Sequence, residues 1–211
     1  MTGSWPCAAK NQRQREIEKL SFKEQYLCGL CELAHIEDCT EQWQHRAEQD
    51  VSLTEYLGLT QEEHEIFLRR GRNALAGLLE PQRRKQRFVL YQLQLDEQKA
   101  IPFAFKDIAA LADAGYEQPP AALYYVAGNG EIYCPVGQAD DALLKRLFAD
   151  CRERLPEGCR GRPMAVSDVV ELNHGAKRAY YYVSGQDQFR QVKFSPMLAK
   201  KEIPEKTQER F

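Results

Sequence analysis

The stretch Leu123-Tyr-Tyr-Val-Ala-Gly-Asn-Gly-Glu-Ile-Tyr-Cys-Pro-Val136 decides the fold. Two runs rich in Tyr, Val and Ile flank Asn129-Gly130, the dipeptide that best tolerates positive φ at both centres of a type I′ turn, so the spacing predicts a β-hairpin. Upstream, Phe88–Leu95 reads as a strand, and Phe105–Ala114 reads as a helix closed by Gly115. Pro119-Pro120 then forbids helix. Downstream, Asp140 or Asp141 caps a helix through Cys151. Ala165–Leu172, Arg178–Val183 and Gln188–Phe194 read as strands, with Asn173-His-Gly175 as a turn. This order lacks strict βαβ alternation and predicts an α+β fold, a mostly antiparallel sheet with two helices on one side.

The front half has a different period. From Arg13 to about Glu48 there is no proline, and Ile17, Leu20, Leu27, Leu30, Cys31, Ala34, Cys39 and Trp43 recur at spacings of three and four. That pattern predicts one long amphipathic helix, or two with a break near Ser21. Ser52-Leu-Thr-Glu55 and Thr60-Gln-Glu-Glu63 are capping boxes, each starting a helix, with stops at Gly58 and Pro81 and a break at Gly71. The expected organisation is an N-terminal flexible segment (1–12), a helical domain (13–80), a basic linker (81–87), an α+β domain (88–199) and a charged tail (200–211).

Composition narrows the function. The 211 residues carry 29 Lys+Arg against 31 Asp+Glu, a net charge of −2 and a pI near 6.1, so only a local patch could neutralise phosphates. Mean hydropathy is −0.59 and no apolar run approaches the roughly 20 residues that span a bilayer. The expectation is a cytoplasmic protein with no membrane partner. Seven cysteines without a repeating frame argue against a secreted disulfide scaffold.

Three groups could carry binding. Cys28, Cys31, His35 and Cys39 have spacing close to a zinc knuckle. On an intact helix these positions spread over about 16 Å, too far for one tetrahedral ion. No cofactor is expected, zinc being the disfavoured alternative and packed thiols the favoured reading. Arg69, Arg70, Arg72, Arg83, Arg84, Lys85 and Arg87 form a basic stretch suited to an acidic protein face or to phosphates. Tyr124, Tyr125, Tyr133, Tyr180, Tyr181 and Tyr182 fall on strands, and alternation predicts an exposed aromatic strip, with Tyr124 and Tyr181 the candidate partner-binding residues. His174 is expected to face solvent in a turn, and Ser167-Asp168 to make a local side-chain-to-backbone bond. No catalytic constellation is visible.

Arg87-Phe-Val-Leu-Tyr-Gln-Leu, Pro102-Phe-Ala-Phe, Ala114-Gly-Tyr, Leu155-Pro-Glu-Gly, Val166-Ser-Asp-Val-Val-Glu-Leu and Tyr181-Tyr-Val, with Phe189 and Phe194 beyond, resemble the YodL-like domain over residues 86–199. The family is scattered through bacterial chromosomes, plasmids, phages and integrative elements, and has no established catalytic residues. The resemblance implies a non-enzymatic accessory factor of a mobile element, binding a host or phage protein complex. Its sharpest form is an anti-defence inhibitor such as an anti-CRISPR that blocks a nuclease effector. One branch of the family is associated with interference with the actin-like MreB cytoskeleton. The alternative is a nucleic-acid-binding regulatory module using the basic 69–87 stretch.

Overall fold

A computed structural model describes residues 17–46, 50–156 and 158–201. The expected N-terminal segment 1–12, the start of the long helix at 13–16, and tail residues 202–211 lie outside the described residues. The chain divides into two compact units, the described residues up to Arg84 with Tyr133–Val136, and those of Lys85–Ile132 with Gly137 onward.

The first unit is helical, with α1 (Phe22–Leu27), α2 (His35–Gln44), α3 (Leu53–Leu57), α4 (Gln61–Arg70) and α5 (Arg72–Leu79). Ser21 starts α1 through a reciprocal capping box with Glu24. Thr60 does the same for α4 with Glu63, whereas Ser52 caps α3 one way only, by accepting from the Glu55 amide. The long helix predicted through Cys39 is interrupted. Gly29 takes φ +67°, and Leu30 N donates to Gln25 O while Gly29 N donates to Tyr26 O, a Schellman stop that parts α1 from α2. Gly58 and Gly71 end α3 and α4 as their positions predict. Phe22, Tyr26, Leu27, Ile36, Cys39, Leu57, Leu59, Leu75 and Leu79 form the core of this unit.

The sheet contains β1 (Arg83–Leu93), β2 (Tyr124–Pro135), β3 (Val169–His174), β4 (Lys177–Gly185) and β5 (Gln188–Val192), in the order β2-β1-β3-β4-β5. Residues 81–87, read as a linker, are a 3-10 turn (Glu80–Gln82) and the start of β1. β1 pairs with β3, β3 with β4, and β4 with β5, all antiparallel. The tight turn between β3 and β4 lies at Gly175-Ala176, one step beyond its expected position, and His174 is inside the ladder opposite Lys177.

The hairpin predicted at Asn129-Gly130 does not form, and β2 runs straight through the dipeptide. The glycine serves close approach instead of a turn. A Cβ on Gly130 would lie 2.7 Å from Phe88 Cζ, so the Phe88 ring of β1 occupies the space a side chain would need.

The two helices of this unit, α6 (Ala109–Asp113) and α7 (Asp140–Cys151), cover opposite faces of the sheet, not one side. Ala110 and Leu111 of α6 pack with Tyr91, Val169 and Tyr182. Phe148 of α7 meets Phe189, which stands opposite Val183 on the other face. Leu90, Val170 and Val183 are as buried as Tyr91, Val169 and Tyr182, so both faces are apolar and each needs cover. Lys200, placed by sequence in the tail, is bound to the outer edge of β2, with Val126 N donating to Lys200 O and Lys200 N to Tyr124 O at 2.9 Å each. Among the described residues no helix is long and apolar enough to cross a membrane.

Candidate functional site

The basic stretch is not a free cationic face. Arg72 pairs with Glu37 at 3.1 Å, and Lys85 and Arg87 share Glu131 at 3.4 and 3.0 Å. Arg83 is held by Glu80 and lies over the Tyr26 and Tyr133 rings, 4.4 and 4.6 Å from their centroids. Arg84 is half-buried. Arg69 and Arg70 are exposed at the end of α4, with Glu65 3.9 Å from Arg69.

The predicted aromatic strip is not exposed along Tyr124, Tyr125, Tyr181 and Tyr182. Tyr124 is fully buried and its hydroxyl donates to Ser167 O at 2.9 Å, so it cannot meet a partner. Tyr125 and Tyr182 are also core residues, because helices cover both sheet faces. Tyr181 is half-buried and donates to Asp140 Oδ2 at 2.5 Å.

Cys28 and His35 lie on either side of the break between α1 and α2. Burial pushes the Cys31 thiol up to about 11 and raises that of Cys39. His35 Nδ1 faces Asp38 at 3.2 Å. Among the described residues no three His, Cys, Asp or Glu side chains are placed to hold a metal.

The structure assembles a different site around Ser167-Asp168. Arg162 donates both Nη atoms to the Asp168 carboxylate, one of them at 2.9 Å, and the two side chains are 7% and 0% exposed. Ala165 N adds a third donor to Asp168 at 2.9 Å. Gln92 of β1 completes the network with both ends of its amide. Its Nε2 donates to Arg162 O and Asp168 Oδ2, and its Oε1 accepts from Arg162 N and Tyr125 OH. Burial pushes the Asp168 carboxyl up, against the opposing pull of Arg162, Ala165 and Gln92. A Cβ on Gly161 would stand 2.5 Å from Gln92 Oε1, so a glycine lets the loop reach the network.

Strained backbone sits directly on this pair. Phe105 and Ser167 have φ of 58° and 78°, and among the described residues no other non-glycine has positive φ. Phe105 N donates to Ser167 Oγ at 3.1 Å. The Phe105 ring lies 4.9 Å from the Arg162 guanidinium carbon and remains 51% exposed. Sequence placed Phe105 in a helix, but α6 starts only at Ala109, whose amide is capped by Asp107. Asp168 makes the expected local side-chain-to-backbone bond, with Ala165 N, and the Ser167-Asp168 pair also joins segments 62 to 76 residues away. The sequence signal for this site was a glutamine at a core strand position, Gln92, which no apolar pattern explains.

Two further polar clusters flank the sheet. Asp140 at the start of α7 accepts from Tyr181 and faces His174 Nε2 at 3.0 Å, so His174 is half-buried and partnered, not facing solvent. On the other face the buried Glu171 accepts from Tyr91 at 2.7 Å with Arg178 at 3.5 Å.

All of the sheet but the first four residues of β1, both helices α6 and α7 and the Phe105 network lie within the part of the chain that matches a known family model, the YodL-like domain, over residues 87–194. That match covers just over half of the 211 residues. The chain belongs to the YodL-like domain family. Its helical unit up to Arg84 lies outside the match, whereas Gln92, Phe105, Arg162 and Asp168 lie inside the YodL-like domain. No curated protein and no solved structure matches the chain.

Proposed function

We propose that this YodL-like protein is a non-enzymatic binding factor that engages another protein through the connection between β1 and α6. The presentation of Phe105 carries this reading. A positive φ at a bulky residue costs about 1–3 kcal/mol, and such strain concentrates where a side chain must be held for use. Here it holds an aromatic ring half in solvent, seated on a buried cation. Aromatic side chains with a fixed orientation dominate protein interfaces. Met197 and Leu198 are more exposed, at 95% and 65%, but stand on unstrained backbone. The ion pairs of Arg72, Arg83, Lys85 and Arg87 weigh against phosphate binding by the basic stretch.

The finer reading, an accessory factor of a mobile element that blocks a host nuclease complex such as a CRISPR effector, draws on the family context. The tagged chain and its Phe105→Ala and Phe105→Leu variants are used to capture a guide-loaded CRISPR effector from bacterial lysate treated with nuclease. Capture by the parent that falls at least about tenfold in Phe105→Ala fits the proposal. Undiminished capture by that variant moves the interface elsewhere, and no capture by the parent removes the CRISPR effector as the target.

A further inference from the structure

The β1–α6 connection carries a charge pattern as well as an exposed ring. Ile101 is 60% exposed and Phe105 51%, on either side of Phe103, which is fully buried and anchors the segment. Lys99 and Lys106 flank these two side chains, both exposed, and neither makes an ion pair among the described residues. Acidic groups of the same connection are engaged elsewhere. Glu97 pairs with Lys200 at 3.2 Å, and Asp107 Oδ1 accepts from Ala109 N at 3.0 Å. Asp96 lies at the far end, next to β1. In sequence, the two exposed apolar residues are thus bracketed by two lysines that make no ion pair among the described residues.

From this we infer the chemistry of the partner, an inference that rests on the binding reading above. The β1–α6 connection docks an amphipathic protein segment whose apolar side chains meet Ile101 and Phe105 and whose Asp or Glu residues meet Lys99 and Lys106. Complementary charge at the rim sets partner choice and register, while the apolar centre supplies most of the affinity. Single-stranded nucleic acid fits less well. Base stacking favours successive aromatic faces, whereas this connection exposes one ring, whose inner face already rests on Arg162, beside an aliphatic residue.

The test is an amide-resolved NMR titration of the full chain with three probes. These are an amphipathic peptide of repeating Glu-Glu-Leu-Leu, its Lys-Lys-Leu-Leu counterpart, and an oligothymidine of similar length. Expected are shifts confined to residues 99–107, with the acidic peptide binding about tenfold tighter than the basic one. Lys99→Glu with Lys106→Glu reverses that order, and the neutral Lys99→Gln, Lys106→Gln variant removes it. Equal binding of both peptides, unaffected by these substitutions, overturns the charge assignment but leaves Phe105 as an apolar anchor. No shift at 99–107 with either peptide overturns the inference, and the Phe105→Ala capture experiment then judges the binding reading by itself. Stronger shifts with oligothymidine overturn it in favour of nucleic acid.

Discussion

The amide of Phe105 donates to the hydroxyl oxygen of Ser167 at 3.1 Å, joining the two non-glycine residues of positive φ among those described. Each strained residue is therefore held by the other, and both sit against the Arg162–Asp168 pair. Release of that strain should nearly offset the loss of the ring. Phe105→Gly removes a φ penalty of about 1–3 kcal/mol and a cation–π contact of about 0.5–1 kcal/mol, with little burial lost from a half-exposed side chain. Its urea midpoint is expected close to that of the parent. A loss above about 3 kcal/mol, the size seen for a buried phenylalanine, would mean that Phe105 is a core residue and not a presented one.

The Arg162–Asp168 pair should behave as a unit. Asp168→Asn leaves a guanidinium buried without its counter-charge, and Arg162→Met leaves the carboxylate so. Each single change is expected to cost about 3–5 kcal/mol. The double variant should cost less than the sum, because neither charge is stranded. Strict additivity in equilibrium denaturation would show that the two side chains do not depend on each other.

Local signals in the sequence were legible and distant ones were not. Ser21, Thr60, Gly58, Gly71 and Gly115 mark real helix ends, because a cap is a contract between residues a few positions apart. Gly29 was missed as one of the same kind, since the apolar period runs on across it and hides the stop. Asn129-Gly130 carried the strongest turn signature and misled, because the ring that demands a glycine there belongs to Phe88 on the neighbouring strand. The YodL-like segment was recognisable from its strands. The Phe105 site has no local signature beyond the polar Gln92 on a core strand, as the partners of Phe105, Ser167 and Arg162, are far along the chain.

Acid should weaken the helical unit through Glu63. Burial pushes this carboxyl up, but Lys23 at 2.7 Å, Gln82 at 2.8 Å and the Thr60 amide outweigh it and hold the group below the ordinary glutamate range. A depressed folded pKa means that the unfolded chain takes up the proton first. The stabilisation from Glu63 is thus full above the ordinary glutamate pKa of about 4.3 and is lost as pH falls through the lower folded value. Glu63→Gln is expected to be less stable than the parent at neutral pH and to lose less between neutral pH and pH ~3. Parallel acid titrations of the two, followed by far-ultraviolet ellipticity at fixed urea, would sink the assignment.

The close approach at Gly130 is testable by compensation. A methyl there meets Phe88 Cζ at 2.7 Å and Cε1 at 2.8 Å, and Phe88 is only 3% exposed, so its ring has little room to move. The backbone at Gly130 has no positive φ, which makes the penalty one of space alone. Gly130→Ala is expected to cost about 1–3 kcal/mol by overpacking. Phe88→Leu alone is destabilising because it leaves a void over the glycine. Combined, the two changes should fit each other, the shorter leucine making room for the methyl, so that the double variant is more stable than Gly130→Ala by itself. Thermal denaturation of the four proteins decides it. A double variant no better than the sum of its parts would mean that Gly130 is selected by backbone freedom and not by the Phe88 ring.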